Sequence, residues 1–280
     1  MFDRVVVVDW SASSRPVRGQ DSIWIAVADG ASGDIWTMNP ETRSWACAEM
    51  GELCRRPGPT LLGVDFSLGY PAGTAAALGL SGTPWRAIWT LLTELVADAD
   101  DNTNNRFEVA ADLNGRIGEG PGPFWGCPRG QRSATLTSTK VSPGPLAEWR
   151  QVERDLRGAG HRPFSGWQLL GAGSVGSQSL VGIPRLAHLE RRLVSDGLTV
   201  EVWPFGTWNG VAPAPDVVIA EVWPSLYPLP EPAGRVRDEV QVVETARRLL
   251  DLTECGISEG RTDDATQRSV RGEEGWVLGA

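Results

Sequence analysis

The chain has 280 residues, of which 41% are hydrophobic and 22% charged, as is ordinary for a soluble globular protein with room for one large domain or two small ones. Its net charge of −9 makes it a poor general partner for duplex nucleic acid, although a small ligand or a local arginine patch stays compatible with that charge. No apolar run reaches the length of a membrane span and no leader pattern opens the chain, so we expect a cytoplasmic protein with no membrane association. Four scattered cysteines and two histidines argue against disulfides, structural zinc and histidine-rich sites.

The first quarter of the chain alternates short apolar runs with turn residues. This pattern predicts strands at 3–10, 22–28 and 35–38, which should form an antiparallel meander because only short turns separate them. A helix is predicted at 42–56 and a buried strand at 60–66. Three strands, a helix and a further strand are the opening of a ribonuclease-H-like fold.

A long polar stretch interrupts the middle of the chain. An amphipathic helix is predicted to begin at Pro84, after which 99–145 is rich in glycine, proline and asparagine. Because this stretch has too little apolar pattern for a core of its own, we expect 99–180 to be an insertion folded over the sheet edge.

Regular patterns return in the last third. Strands are predicted at 198–204 and 217–224, and an amphipathic helix at 236–253. A last helix should open at Thr262, where threonine can cap it and the following acids suit its first turn. The apolar residues at 275–278 should pack back onto the body of the protein.

Two apolar strands end in the same order of aspartate, aromatic residue and serine, at Asp9 and Asp65. If these strands are parallel neighbours, both carboxylates emerge at the edge where open sheets bind ligands. Glu221 ends a third apolar run and Asp264 opens the last helix, with Asp263 as a reserve. Clustered acids repel unless cations bridge them, and oxygen ligands suit Mg²⁺ or Mn²⁺. The alternative is that these acids only cap turns and helices.

Side chains near these acids or in the insertion are candidates for contacting a substrate. Trp10 could stack on a ring, and arginines could hold a phosphate or carboxylate group. The predicted substrate-binding residues are Ser11, Ser67, Trp10, Arg129 and Lys140, with Arg106 and Arg132 as further basic candidates.

Three further motifs have an ordinary structural explanation beside a functional one. Residues 171–176 match the GxGxxG dinucleotide fingerprint, but the flanking strand is short and Gly182 and Pro184 interrupt the helix pattern, which favours a tight loop. Cys127 has no base placed beside it in the sequence, which favours a structural thiol. The turn 9–14 resembles the first phosphate loop of the sugar-kinase and actin superfamily, which would imply phosphotransfer.

Short motifs spread over nearly the whole chain resemble one family. They are Val-Val-Asp-Trp-Ser at 7–11, Gly-Val-Asp-Phe-Ser-Leu-Gly-Tyr-Pro at 63–71, Glu-Val-Trp-Pro at 221–224, Asp-Asp-Ala at 263–265 and Glu-Glu-Gly-Trp-Val-Leu-Gly at 273–279. In this order they resemble uncharacterised bacterial and archaeal proteins described as nucleases of ribonuclease-H-like fold. The resemblance implies a mixed five-stranded sheet and bound magnesium or manganese. It also implies an active edge formed by Asp9, Asp65, Glu221 and Asp264.

We therefore expect one α/β domain over 1–280, with a mixed sheet of three antiparallel and then parallel strands flanked by helices, and with the large insertion at 99–180. The expected function is that of a metal-dependent phosphodiester hydrolase acting on nucleic acid or a small phosphorylated ligand. One alternative is a catalytically silent protein of the same fold that binds a small anion or a partner. A third hypothesis is nucleotide-dependent phosphotransfer.

Overall fold

The computed structural model describes residues 2–142, 144–171, 174–208, 213–255 and 264–280, with backbone only at 253–255. Asp263 and two positions of the GxGxxG match, 172 and 173, therefore lie outside the described residues. The described chain is an α/β structure with one mixed sheet between helices. Its strands are β1 (Arg4–Asp9), β2 (Trp24–Asp29), β3 (Ile35–Met38), β4 (Thr60–Val64), β5 (Val200–Val202) and β6 (Val217–Glu221).

The sheet has the strand order β3-β2-β1-β4-β6-β5. β2 is antiparallel to both β1 and β3, which confirms the predicted meander, whereas β1, β4, β6 and β5 are parallel. Four consecutive valines occupy the middle of β1 because helices cover both of its faces. The sheet has six strands, which corrects the count of five implied by the family resemblance. Its edge strand beside β6 is β5, a short strand that pairs only with β6.

Helices cover the sheet on both faces. Their bounds are α1 (Arg43–Arg55), α2 (Thr74–Ala77), α3 (Pro84–Leu95), α4 (Arg106–Ile117), α5 (Gln151–Gly158), α6 (Val175–Ser195), α7 (Arg237–Cys255) and α8 (Asp264–Ser269). One core joins α1, α3 and α6 to one face of the sheet, and a second core packs α7 on the other face. A π-helical turn follows α8, and the tail from Trp276 to Leu278 is buried, as predicted. No helix in the described ranges is long and apolar enough to span a membrane.

Helix α6 differs from the expectation that Gly182 and Pro184 would interrupt it. It runs without a break for 21 residues and buries both of them. A Cβ atom at position 182 would lie 2.3 Å from the ring of Phe66, so glycine lets the helix approach the residue that follows Asp65. The close contact with Phe66 therefore explains why position 182 is glycine, although glycine is unfavourable in a helix.

Residues 99–180 contain α4, α5 and the start of α6. Several of their apolar side chains, including Leu113 and Trp167, belong to the same buried core as the sheet. Asn114 connects the segment internally, because its amide donates to the carbonyl oxygens of Phe124 and Thr135 and its oxygen accepts from the Phe124 N–H. The position of this segment over the active edge stays a prediction.

Candidate functional site

Two aspartates lie side by side at the carboxyl ends of the central parallel strands. Val8 of β1 pairs with Val64 of β4, so Asp9 and Asp65 occupy the next positions of the two strands. Their carboxyl groups are close enough for each to shift the pKa of the other. The N–H of Trp10 donates to Asp65 Oδ1 at 2.7 Å and fixes the orientation of that carboxyl group. The structure thus brings together the first two acids of the predicted cluster.

The environment of this pair favours its protonated form. Burial, followed by repulsion from Asp65, raises the pKa of Asp9 well above its ordinary value. Burial also raises the pKa of Asp65 to about 6, although the hydrogen bonds from Asp9 and the Trp10 N–H oppose that rise. A proton on one of the two carboxyl groups removes a like charge and can be donated to the other, so the pair favours sharing a proton.

A third acid, Asp238, approaches the pair from the first turn of α7. Its charge raises the pKa of both Asp9 and Asp65. The N–H of Asp21 donates to Asp238 Oδ2 at 2.7 Å, and the charge of Asp21 also acts on Asp9. Sequence reasoning missed Asp238, although the signal was present, because an acid opening the predicted helix at 236–253 is the pattern that selected Asp264.

Glu221 lies on the opposite face of the sheet from the aspartate pair. In β6 it pairs with Val64, whereas Asp65 is one residue further along, and successive strand residues point to opposite faces. The guanidinium of Arg150 binds both oxygens of Glu221, at 2.7 and 2.6 Å, and the Leu68 N–H donates to it at 3.1 Å. Burial raises the pKa of Glu221, and Arg150 opposes this rise. Glu221 is therefore one half of a buried ion pair.

Asp264 is exposed at the start of α8. The acids with the largest electrostatic effects on Asp9 are Asp65, Asp238 and Asp21. Within the part of the chain that the structure describes, no three aspartate, glutamate, histidine or cysteine side chains form a ready metal-binding group. The described acids at this edge therefore consist of one close pair and a third carboxylate at longer range.

The predicted substrate-binding residues have different surroundings. Ser11 is half-buried, and its hydroxyl donates to the carbonyl oxygen of Asp21 at 3.2 Å. Ser67 and Trp10 are both 2% exposed, and the indole packs against Phe66 with ring centroids 5.8 Å apart, so it does not offer an open stacking surface.

Three of the four basic candidates in the insertion, Arg129, Arg132 and Lys140, lie on the surface. Lys140 forms an ion pair with Glu148 at 2.5 Å. Arg129 is exposed in a single 3₁₀ turn at 129–131. Exposed positions of this kind allow contact with a large ligand but do not by themselves form a site.

Buried arginines hold the turn that follows Asp9. Arg43, the first residue of α1, donates to the carbonyl oxygens of Ser11 and Ser13 at 3.0 and 2.7 Å. Arg106, the first residue of α4, donates to Ser14 Oγ at 2.8 Å. Sequence reasoning named Arg106 only as a possible anion ligand and did not foresee Arg43, because an arginine at a helix start looks like an exposed residue. Phosphotransfer through this turn stays a prediction.

The two remaining motifs have different outcomes. Of 171–176 the structure describes Gly171 and 174–176. Helix α6 begins at Val175, contrary to the expected interruption, and no described strand directly precedes the motif. A Cβ atom at Gly176 would lie 2.5 Å from a backbone oxygen of Gly166. Cys127 is buried, which raises the pKa of its thiol, and its Sγ lies 4.0 Å from the carbonyl oxygen of Leu136. A buried thiol with a raised pKa is a poor nucleophile.

In comparisons with known proteins, the chain matches no family model, no curated protein and no solved structure. The family resemblance therefore stays a prediction, and the function has to be argued from the site. Chemically, the site offers a protonatable carboxylate pair at the sheet edge where parallel α/β sheets bind ligands, with a third acid close by and arginines around the adjoining turn.

Proposed function

We propose that this protein is a metal-dependent phosphodiester hydrolase of ribonuclease-H-like fold, built on Asp9 and Asp65. The observation that carries the proposal is that two neighbouring carboxylates meet at the carboxyl edge of the sheet, where the other charges acting on Asp9 are also acids. Such a group is costly unless protons or a cation neutralise it. A divalent cation is the neutralising group that would give the arrangement a function.

The donor set fits a hard divalent ion. Mg²⁺ is usually held by one or two carboxylates, keeps several of its waters and binds substrate phosphate oxygens directly. Asp9 and Asp65 would supply the two carboxylates, and Asp238 would hold a coordinated water. When bound, the ion would polarise a phosphoryl oxygen and lower the pKa of a bound water.

The residues of the chain have separate tasks in this scheme. The Trp10 N–H orients Asp65, since the hydrogen bond fixes one carboxylate oxygen at 2.7 Å. The Asp21 N–H holds Asp238 in the same way. Burial raises the pKa of Asp238, which makes it a stronger base than an ordinary aspartate, as a group that accepts a proton from an attacking water should be.

The order of elements supports the ribonuclease-H-like part of the proposal. An antiparallel meander, a helix and a parallel fourth strand beside the first agree with the architecture that the resemblance implies. The acidic net charge favours a small phosphodiester, or a short single strand, over long duplex nucleic acid as substrate.

A second candidate is a catalytically silent protein that binds a small anion or a partner at the same edge. The observation that favours it is the ion pair between Glu221 and Arg150, which removes one of the predicted ligands. In that case Asp9 and Asp65 would bind the ligand through the proton that they share, and the site would need no metal.

A calorimetric titration with Mn²⁺ tests the proposal. The wild type should bind Mn²⁺, Asp65→Asn should abolish binding and Asp238→Asn should weaken it. Asp34→Asn, which removes an exposed acid in the turn between β2 and β3, serves as the matched control and should bind like the wild type.

Activity is then measured with bis(4-nitrophenyl) phosphate and a single-stranded oligonucleotide, with and without Mn²⁺. Metal-dependent hydrolysis that Asp9→Asn abolishes would support the hydrolase. Mn²⁺ binding that survives Asp65→Asn would contradict the assignment of the site. Binding at the pair without hydrolysis of either substrate would favour the silent alternative.

A further inference from the structure

Arg106 is a buried guanidinium without an acidic partner. It is only 9% exposed, and its hydrogen bonds go to neutral oxygens. Nε donates to Ser177 Oγ at 3.0 Å, and Nη1 donates to Ser14 Oγ and to Asn104 Oδ1, both at 2.8 Å. No ion pair in the described part of the chain includes Arg106. A buried charge without a counter-charge is costly, so this arrangement calls for a ligand of opposite charge.

The nearest acid does not neutralise Arg106. Asp98 binds Arg43 through both of its oxygens and also binds Arg185, at 2.8 Å. One carboxylate therefore faces three guanidinium groups. Burial, followed by repulsion from Arg43, lowers the pKa of Arg106 to about 10, and Asp98 opposes this only in part. The region keeps an excess of positive charge in a protein whose net charge is −9.

Two helix starts add to this positive charge. Arg106 is the first residue of α4, and Ser177 lies in the first turn of α6. The N-terminus of a helix carries a partial positive charge, which disfavours a guanidinium and favours an anion. Nη2 of Arg106 has no hydrogen-bond partner among the described residues. The ring of Phe107, 4.3 Å from the guanidinium carbon, fixes the plane of the fork.

This region lies at the same end of the sheet as the aspartate pair, but α4 and α6 pack on the face opposite to the one that carries Asp9 and Asp65. Ser14 is five residues beyond Asp9, so their Cα atoms are at most about 18 Å apart. The side chain of Gln178, next to Ser177, donates to the carbonyl oxygen of Trp10 at 2.5 Å, which brings the start of α6 against the residue after Asp9.

We propose that Arg106 and the first turn of α6 form an oxyanion subsite that binds a phosphate group of the substrate at the same end of the sheet as the carboxylate pair. A guanidinium with a free N–H₂ group can donate a charge-assisted hydrogen bond to a phosphate oxygen. The inference rests on the proposed function for the identity of the molecule that carries this phosphate. Occupation of the subsite would compensate the buried charge of Arg106.

The test is a calorimetric titration of the metal-free protein with inorganic phosphate, at an ionic strength held constant with sodium chloride. The wild type should bind phosphate at one site. Arg106→Met should weaken binding at least about tenfold, as expected for a charge-assisted contact, and Arg106→Lys should have an intermediate effect. Arg192→Met removes an exposed arginine near the other end of α6 and should leave the affinity unchanged.

Absence of phosphate binding to the wild type, or equal binding by a folded Arg106→Met protein, would overturn the subsite. Loss of binding in Arg192→Met alone would also overturn it, because the anion would then bind near the C-terminus of α6. If Arg106→Met does not fold, Arg106→Lys decides the question, since it keeps the charge but not the fork.

Mn²⁺ binding separates this inference from the proposed function. Arg106→Met leaves Asp9 and Asp65 in place and should bind Mn²⁺ like the wild type. A wild-type protein that binds phosphate but no Mn²⁺ would contradict the hydrolase and support the anion subsite.

Discussion

Replacing Asp65 by asparagine should stabilise the metal-free protein at neutral pH. Asparagine keeps an oxygen that can accept from the Trp10 N–H, a bond of 2.7 Å in the wild type. Its amide N–H₂ can donate to Asp9 and so replace the proton that the two carboxyl groups share. The substitution therefore removes a charge while it keeps both hydrogen bonds, which is favourable where like charges are forced together.

The pKa of Asp65 gives the size of the effect. It rises from an ordinary value of 3.8 to about 6 in the folded protein, and each pKa unit corresponds to about 1.36 kcal/mol. A raised pKa means that the folded state holds the proton more tightly than the unfolded state does. The associated stability is complete below 3.8 and is lost as the pH rises through about 6. At about pH 7 the free energy of unfolding of the wild type should therefore be about 3 kcal/mol lower than that of the asparagine variant.

Urea unfolding in the presence of a chelator, followed by tryptophan fluorescence, measures this difference. The free energies of unfolding of Asp65→Asn and wild type should differ at about pH 7 and converge near about pH 3.5. Asp34→Asn, an exposed control, should stay within about 0.5 kcal/mol of the wild type at both values. An Asp65→Asn protein that is less stable than the wild type at neutral pH would refute the reasoning, because Asp65 would then be a stabilising cap.

Two further substitutions test the packing around the site. Arg150→Met should cost about 3–5 kcal/mol, because it leaves Glu221 buried without its partner, and adding Glu221→Gln should recover part of that loss in urea unfolding. Gly182→Ala should cost about 1–3 kcal/mol because its Cβ would lie 2.3 Å from the Phe66 ring. Gly158→Ala, where nothing lies within 4 Å, should be neutral or stabilising by up to about 1 kcal/mol, and equal melting temperatures for the two alanine variants would contradict the packing.

The meander and the parallel core were predictable because their signals are local. Apolar runs bounded by turn residues identify β1 and β4, and the short turns leave only an antiparallel arrangement for the first three strands. The continuity of α6 was not predictable in this way. Gly182 and Pro184 oppose a helix locally, and only the close approach of Phe66 explains the glycine.

The site was predictable as far as it depends on strand ends. Asp9 and Asp65 follow matching apolar runs, so parallel pairing was enough to bring them together. The face on which Glu221 lies depends on the register between β4 and β6, which no single strand reveals. Asp238 and Asp264 both open helices, and sequence alone cannot tell which of the two helices packs against the sheet beside the pair.

At this end of the sheet, a negative charge on the carboxyl pair and a positive charge on Arg106 are both unfavourable in a buried environment. A bound cation and a bound anion could compensate them. The pair of Asp9 and Asp65 carries a negative charge that burial opposes, whereas Arg106 carries a positive charge without an acidic partner. The two parts do not neutralise each other, because the acids lie at the strand ends and Arg106 lies beyond the following turn, where it binds Ser14. A divalent cation at the pair and a phosphate group at Arg106 would compensate both charges. Strongly perturbed ionisable groups cluster at functional sites more often than elsewhere, which is why both groups are the first targets for the metal and phosphate titrations.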